Sequence, residues 1–183
     1  MGAALASAAL ALGHDVHIIS GPVAIEYPPE AQTTFVLTTD EMLDATRQAF
    51  RESDGLIGAA APCDYQPRRM QSEKMTKTGR PVTLELVETA DIVATLASEK
   101  SELQWVVGFA LETNDHRFRA TVKMQRKACD MMVSNSSSAI DSESNSVEIL
   151  GPGGELLQAI SASKFEVAGA ILTQIDDHLI RSA

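Results

Sequence analysis

Aromatic residues are scarce in this chain of 183 residues: one Trp, two Tyr and five Phe make up 4% of it, although 44% of the sequence is hydrophobic. An interior with so few rings has to be built mostly from Ala, Val, Ile and Leu. Cysteine is nearly absent too. Cys63 and Cys129 are too few and too far apart for a disulfide framework, and neither has a CxxC or Cys/His zinc spacing. Both read as free thiols of a reducing compartment. A membrane-length apolar run is missing as well. Met1 to Leu12 is shorter than the ~20 residues of a span, and it lacks a basic flank, since the first Lys or Arg is Arg47. It reads as a buried helix and not as a signal peptide, which predicts a cytoplasmic protein that binds no membrane. Positive charge is in deficit, with 15 Lys+Arg against 25 Asp+Glu and a formal charge of −10. That balance excludes a general binder of nucleic acid or anionic membrane. It leaves room for a small anionic substrate held in one basic patch.

What is present reads as alternating helices and strands. Ala-rich residues 2–12 favour helix, with Gly13 as the stop. Strands are expected at Asp15–Ser20, Phe35–Leu37, Leu56–Ala61, Val82–Leu86, Trp105–Ala110 and Met131–Val133. Thr38 with Glu41 forms a capping box that opens a helix bearing Met42, Leu43, Ala49 and Phe50. Further helices are expected over 91–100, 115–128 and 163–180. A terminal hairpin joins Val147–Leu150 to Leu156–Ile160 across Gly151-Pro152-Gly153-Gly154. Residues 62–81 lack periodicity, and loops of that length in compact domains are usually functional or disordered. The order predicts one α/β domain over residues 1–183, a doubly wound and mostly parallel sheet ending in the hairpin. Such a domain normally opens on a strand and a Gly-rich turn. This chain opens on a helix, so its first strand is expected to be missing.

Ligands of doubly wound sheets sit outside the carboxyl ends of the strands. The segments there are Gly21-Pro22, Pro62 to Lys77, Phe109 to Asn114 and Ser134 to Ser138. Charge placement selects among them. Arg68, Arg69, Lys74, Lys77 and Arg80 fall within 13 residues, and Arg117, Arg119, Lys123, Arg126 and Lys127 within 11, so ten of the 15 basic residues occupy two short segments. Arg119, Lys123 and Lys127 recur every four residues and share a helix face. Either cluster alone is more simply a solvated surface; both together, one of them in a strand-end loop, point to a site for a polyanion such as a nucleoside triphosphate. Asp64, just beyond a strand end, serves equally well as a turn former or as an acceptor for a ribose, a base or a divalent metal. Cys63 has no His near it in sequence, and His14 and His17 flank a strand as ordinary surface or satisfied histidines. Asn114, Asn135 and Asn145 are uninformative one by one.

Taken in order, these segments resemble a known family over essentially the whole chain. They run from Gly13-His14-Asp15-Val16 and Ile18-Ile19-Ser20-Gly21-Pro22, through Ala59-Ala60-Ala61, Asp64-Tyr65 and Lys74-Met75-Thr76-Lys77. Asp91-Ile92, Gly108-Phe109-Ala110-Leu111-Glu112-Thr113, and Lys123 and Lys127 ahead of Asp130 complete them. They resemble the phosphopantothenate–cysteine ligase domain, in many bacteria the C-terminal half of a bifunctional coenzyme A biosynthesis flavoprotein. The resemblance implies a Rossmann-like fold. It also implies a two-step reaction in which 4′-phosphopantothenate attacks the α-phosphate of CTP, with Mg²⁺, and cysteine then displaces CMP from the acyl-cytidylate. By motif position Asp64, Lys74, Phe109, Lys123 and Lys127 resemble nucleotide contacts, and Ala60, Asp91 and Ile92 line the same pocket. Lys74 is the expected catalytic residue, and no metal-ligating residues of the protein are assigned. A homodimer paired through residues 65–87 and a phosphopantothenoylcysteine decarboxylase partner are also implied. The family carries a strand, a Gly-rich turn and an Asn-x-Ser-Ser-Gly-Lys segment ahead of the equivalent of Met1-Gly2, so truncation at the front is expected. Its Lys-Asn-Pro-Asp-Ile stands here as Glu88-Thr89-Ala90-Asp91-Ile92. Two other readings are a nucleotide-binding remnant without catalysis and an NAD(P)-dependent oxidoreductase. The second would need Gly-x-Gly-x-x-Gly after the first strand, which Ser20-Gly21-Pro22 does not supply.

Overall fold

The computed structural model describes residues 1–112, 116–136 and 144–181. Helix α1 (Gly2–Ala11) ends as its sequence dictates. Gly13 takes a φ of +88°, the Gly13 amide donates to the Leu10 carbonyl at 2.9 Å and the His14 amide to Ala9 at 3.1 Å, the two bonds of a Schellman motif. The chain then enters β1 (His17–Ser20), which pairs in parallel with β2 (Gln32–Phe35). Strand β2 lies three residues before its expected position. The apolar run Phe35-Val36-Leu37 looked like the strand, but the ladder to β1 sets the register, and Phe35 and Leu37 are left 71% and 74% exposed.

Helix α2 (Thr39–Phe50) carries the expected capping box: the Thr38 hydroxyl accepts from the Glu41 amide, and the Glu41 carboxylate accepts from the Thr38 and Leu37 amides. Strand β3 (Gly55–Gly58) stops three residues short of the expected Ala61. An arm follows, in which β4 (Tyr65–Pro67) pairs antiparallel with β5 (Leu86–Glu88). Of the alternating stretch 82–86, expected as strand, only Leu86 enters that ladder, with the Glu85 carbonyl accepting the Arg68 amide at 2.9 Å just beyond it. Then come α3 (Ile92–Glu99), β6 (Trp105–Glu112), α4 (His116–Lys127), β7 (Met131–Ser136), β8 (Ser144–Leu150), β9 (Leu156–Ser163) and α5 (Lys164–Ile175). The last expected helical turn is π-helical, Asp176–Ile180.

The larger sheet has the order β3-β6-β7-β8-β9, with β3, β6 and β7 parallel and the β8–β9 hairpin antiparallel at its end. This is the α/β architecture the sequence predicts. Among the described residues no ladder joins β1 to β3. Alternation along the strands divides the core in two. Val107, Met131, Val133 and Ile149 face α1 and α5 (Leu5, Ala8, Val167, Ile171), so the first and last helices share one cluster. Val106, Ala110, Met132 and Leu150 face α3 and α4 (Leu96, Ala120, Met124) together with Phe50. At ~25 cal/mol per Å² of apolar surface, these two layers supply most of the drive for folding. Among the described residues no helix is long and apolar enough to cross a membrane.

Candidate functional site

Two glycines opposite each other in register determine how closely α3 approaches the sheet. Gly58 of β3 pairs with Gly108 of β6. A Cβ on Gly58 would lie 2.5 Å from Val93 Cγ2, and one on Gly108 would lie 3.0 Å from Cys129 Sγ. A Cβ at either position would force these neighbouring side chains to shift, at Gly108 also the Met132 Cε at 2.9 Å. The first turn of α3 and the turn after α4 therefore rest directly on the carboxyl half of the parallel strands.

That contact places Asp91 and Ile92 beside the loop leaving β3. Asp91 is the N-cap of α3, its Oδ1 accepting the Ala94 amide at 3.1 Å, while Ile92 is buried in the core. The Thr89 amide donates to the Asp64 carbonyl at 3.0 Å, and the Thr89 hydroxyl binds the Cys63 carbonyl. Asp64 and Asp91 thus belong to neighbouring pieces of backbone, with the exposed Ala60 earlier on the same loop.

Helix α4 brings the other half. Ala120 and Met124 form its buried stripe, so Lys123 and Lys127 flank that stripe and are half-buried. The Lys127 ammonium lies 3.0 Å from Asp91 Oδ1 and 2.9 Å from Oδ2. Burial by itself would raise the Asp91 pKa, but the Lys127 hydrogen bond and the Ala94 amide outweigh it and hold the carboxyl below its ordinary value. Beneath the pair, burial pushes the Cys129 thiol up to about 11, against the opposing pull of Lys127, so it stays a neutral packing residue.

The expected residues converge in part. Asp91 and Lys127 come together with Ile92 next to them, the Asp64 backbone is tied to Thr89 two residues before Asp91, and Ala60 stands earlier on that loop. Phe109 follows Gly108 on the same strand, but its ring packs on the α1/α5 side of the sheet, opposite Lys127. Lys74 lies on the exposed arm, and among the described residues the Lys74 and Asp64 side chains make no hydrogen bond or ion pair. The two cationic segments are also less unopposed than their local sequence indicates. Arg68 pairs with Glu85 across the arm, and Arg117 with Glu148 of β8 at 3.0 Å. A groove of about 460 Å³ lies elsewhere, between α1 and the loop before β2, lined by Ser7, Leu10, Ala11, Pro28 and Glu30. It includes none of the expected residues.

The carboxyl end of β7, one of the strand-end segments expected to border a ligand, holds two polar atoms whose burial the sequence does not reveal. Ser134 Oγ and Asn135 Oδ1 are buried with no hydrogen-bond partner among the described residues. A polar Ser-Asn pair closing an apolar strand was the only available signal. The strand-end positions Thr113, Asn114, Ser137 and Ser138 lie outside the described residues. No cluster of three or more His, Cys, Asp or Glu able to hold a metal is found among the described residues.

Residues 1–179 match the family described as the DNA/pantothenate metabolism flavoprotein C-terminal domain. The chain is 36% identical over 182 residues to a cysteine/cysteine sulfinic acid decarboxylase of an unknown prokaryotic organism, covering 96% of this chain and 50% of that protein. It is also 36% identical over 180 residues to the Coenzyme A biosynthesis bifunctional protein CoaBC of Bacillus subtilis, covering 96% of this chain and 44% of that protein. The chain therefore spans about half the length of the curated relatives it matches. Among solved structures, the C-terminal domain of a Coenzyme A biosynthesis bifunctional protein CoaBC superimposes with a TM-score of 0.81 at 33% identity, covering 96% of this chain and 80% of that one.

Proposed function

The chain belongs to the DNA/pantothenate metabolism flavoprotein C-terminal domain family, and from that premise we propose that it is a phosphopantothenate–cysteine ligase domain of coenzyme A biosynthesis. The observation that carries this reading is the likeness to the CoaBC C-terminal domain over 96% of the chain. In the proposed reaction a carboxylate oxygen of 4′-phosphopantothenate attacks the α-phosphorus of CTP and pyrophosphate leaves. The cysteine amine then attacks the acyl carbon, CMP departs, and the amine gives up a proton as the amide forms.

Both substrates of the first step are anions, so cations have to offset their repulsion. Lys123 and Lys127 on α4 would face the nucleotide with Asp64, Ala60 and Ile92 around it, and Lys74 on the arm would stabilise charge on the phosphoryl and acyl groups; Phe109, on the other face of the sheet, falls outside that pocket. Mg²⁺ would enter with the triphosphate, as it commonly does, bound by phosphates and at most one or two carboxylates. The described residues offer it no cage of three acidic or imidazole ligands, so no step is assigned to a metal held by the protein alone. Two copies would pair through the arm, whose Tyr65, Met70, Met75, Val82, Leu84 and Leu86 are more than half exposed. A cytoplasmic location and a phosphopantothenoylcysteine decarboxylase partner belong to the same reading.

Calorimetric titration with CTP and Mg²⁺, followed by a pyrophosphate-release assay with 4′-phosphopantothenate and cysteine, tests it. CTP binding without NAD(P) binding, and pyrophosphate release that needs phosphopantothenate, are expected. CTP binding with no release would leave only a nucleotide-binding remnant, and no CTP binding would overturn the reading. Lys74→Ala should lower turnover well beyond Arg51→Ala.

A further inference from the structure

Asp91 presents a problem for a polyanion site: a carboxylate only accepts hydrogen bonds, and placed against a triphosphate it repels it. The structure shows how that charge is occupied. One oxygen takes the α3 cap amide, and both lie within 3.0 Å of the Lys127 ammonium. Each partner is anchored from below. Asp91 sits on a helix turn pressed against Gly58 through Val93, and Lys127 is the last residue of α4 before a closed turn, the Cys129 amide donating to the Met124 carbonyl at 3.0 Å. The Lys127 side chain is 18% exposed, and its ammonium has further N–H donors beyond those turned to Asp91.

We propose that Asp91 is a positioning residue that holds the Lys127 ammonium across the α3–α4 junction toward the nucleotide phosphates, and does not contact the nucleotide itself. This rests on the CTP-dependent reading above. It gives Asp91 a role different from lining the pocket: its negative charge is matched, and its geometry fixes a side chain that would otherwise lose several rotatable bonds of entropy on binding.

A double-mutant cycle on CTP affinity, measured by calorimetry with Mg²⁺, tests it. Asn caps helices as well as Asp does, so Asp91→Asn keeps α3 closed while removing the charge, and its melting temperature should stay within a few degrees of the parent. We expect Asp91→Asn to weaken CTP binding about tenfold and Lys127→Met to weaken it more. The double variant should match Lys127→Met within about twofold, because Asp91 acts only through Lys127. Losses that multiply in the double variant would mean that Asp91 meets the ligand directly and would overturn the proposal, as would unchanged or tighter binding by Asp91→Asn. An unmutated protein that gives no CTP heat would overturn the nucleotide reading and this role with it. A parent that binds CTP while the losses multiply overturns the role of Asp91 alone.

Discussion

Helix α4 with the turn behind it, and the arm from Cys63 to Glu88, have similar ingredients: a run of cations, several apolar side chains and one cysteine each. Their physical states differ. On α4 a buried stripe of Ala120 and Met124 fixes the helix, and its cations reach acids on other elements, Lys127 to Asp91 and Arg117 to Glu148. On the arm no residue is buried. Arg68 pairs only with Glu85 of the same arm, while Lys74, Lys77 and Arg80 face solvent. A cation on a packed helix is oriented by the core under it; one on a three-rung ladder is oriented by the arm alone. Helix α4 therefore presents its charges from a packed frame, whereas those of the arm have no buried residue beneath them to orient them.

The largest effect that could break this contrast is a matched pair of leucine truncations. Leu96, in the layer that α3 and α4 share, is 1% exposed, and Leu84 on the arm is 62% exposed. Leu96→Ala should cost about 3 kcal/mol in a urea titration of the isolated domain, through lost transfer energy and the remaining cavity. Leu84→Ala should change stability by less than about 0.5 kcal/mol. Equal losses would mean that the arm is packed against something in solution. If that something is a second copy, the Leu84→Ala loss should vanish on dilution to the monomer.

The cysteines sharpen the same comparison without mutation. At pH 8 an alkylating reagent should label the exposed Cys63 rapidly and reach the buried Cys129 only on unfolding, as mass spectrometry of the two peptides would show. The thiol also has a linkage consequence. The Cys129 pKa of about 11 in the folded state lies above its unfolded value, so its contribution to stability is intact below that unfolded value and is lost as pH rises through the folded one. Asp91 works in the opposite sense. Its folded pKa is lowered, so its contribution is present above the unfolded value near ~4 and disappears as pH falls through the folded one. Denaturant midpoints measured across the pH range should fall at both ends, and replacing Cys129 with Ala should flatten only the alkaline limb.

Local signals carried the sequence reading far where the structure depends on neighbours in sequence. The Thr38–Glu41 box and the Gly13 stop are each set within a few residues, and each forms as expected. Reading failed where a distant partner decides. Residues 35–37 are more apolar than 32–35, yet the parallel ladder to β1 selects the latter. The β4–β5 ladder joins Tyr65 to Glu88, a pairing that no local pattern announces. The site divides in the same way. The i, i+4 spacing placed Lys123 and Lys127 beside the buried stripe, but the acid that Lys127 meets lies 36 residues earlier. Both glycines under the α3–α4 junction were visible in the sequence; their opposition in register was not.

Within the well-packed region two buried polar atoms lack partners among the described residues, and the Ser134 hydroxyl supplies a smaller test. Ser134 is 3% exposed, on the Met132 side of β7, and its hydroxyl has no partner among the described residues. A buried hydroxyl without a hydrogen bond carries a desolvation cost of about 1–3 kcal/mol. Ser134→Ala keeps the Cβ and removes that cost, so the domain should gain about 1 kcal/mol, read as a higher urea midpoint with an unchanged slope. A loss instead would show that the hydroxyl finds a bond in solution, through an ordered water or a neighbouring segment.

The smallest effect concerns the turn that delivers Lys127. Helices α1 and α4 end in the same pair of bonds, Gly13 to Leu10 and His14 to Ala9 in one, Ala128 to Gln125 and Cys129 to Met124 in the other. The left-handed residue is Gly13 at φ +88° in the first and Ala128 at φ +53° in the second. An L-residue with a Cβ pays roughly 1–2 kcal/mol for that conformation, while glycine adopts it freely and gives back part of the gain as extra entropy of the unfolded chain. Because Ala128 is exposed, removing its methyl group forfeits little packing. Ala128→Gly should therefore raise stability by about 0.5–1 kcal/mol, and Gly13→Ala should lower it by a similar amount. The pair of thermal melts separates turn strain from helix propensity, because propensity alone would make the glycine variant of α4 the weaker one. If the α4 turn also sets the direction of Lys127, CTP affinity should stay the same or improve in Ala128→Gly; a drop would mean that the strained alanine, and not the Asp91 contact, aims the ammonium.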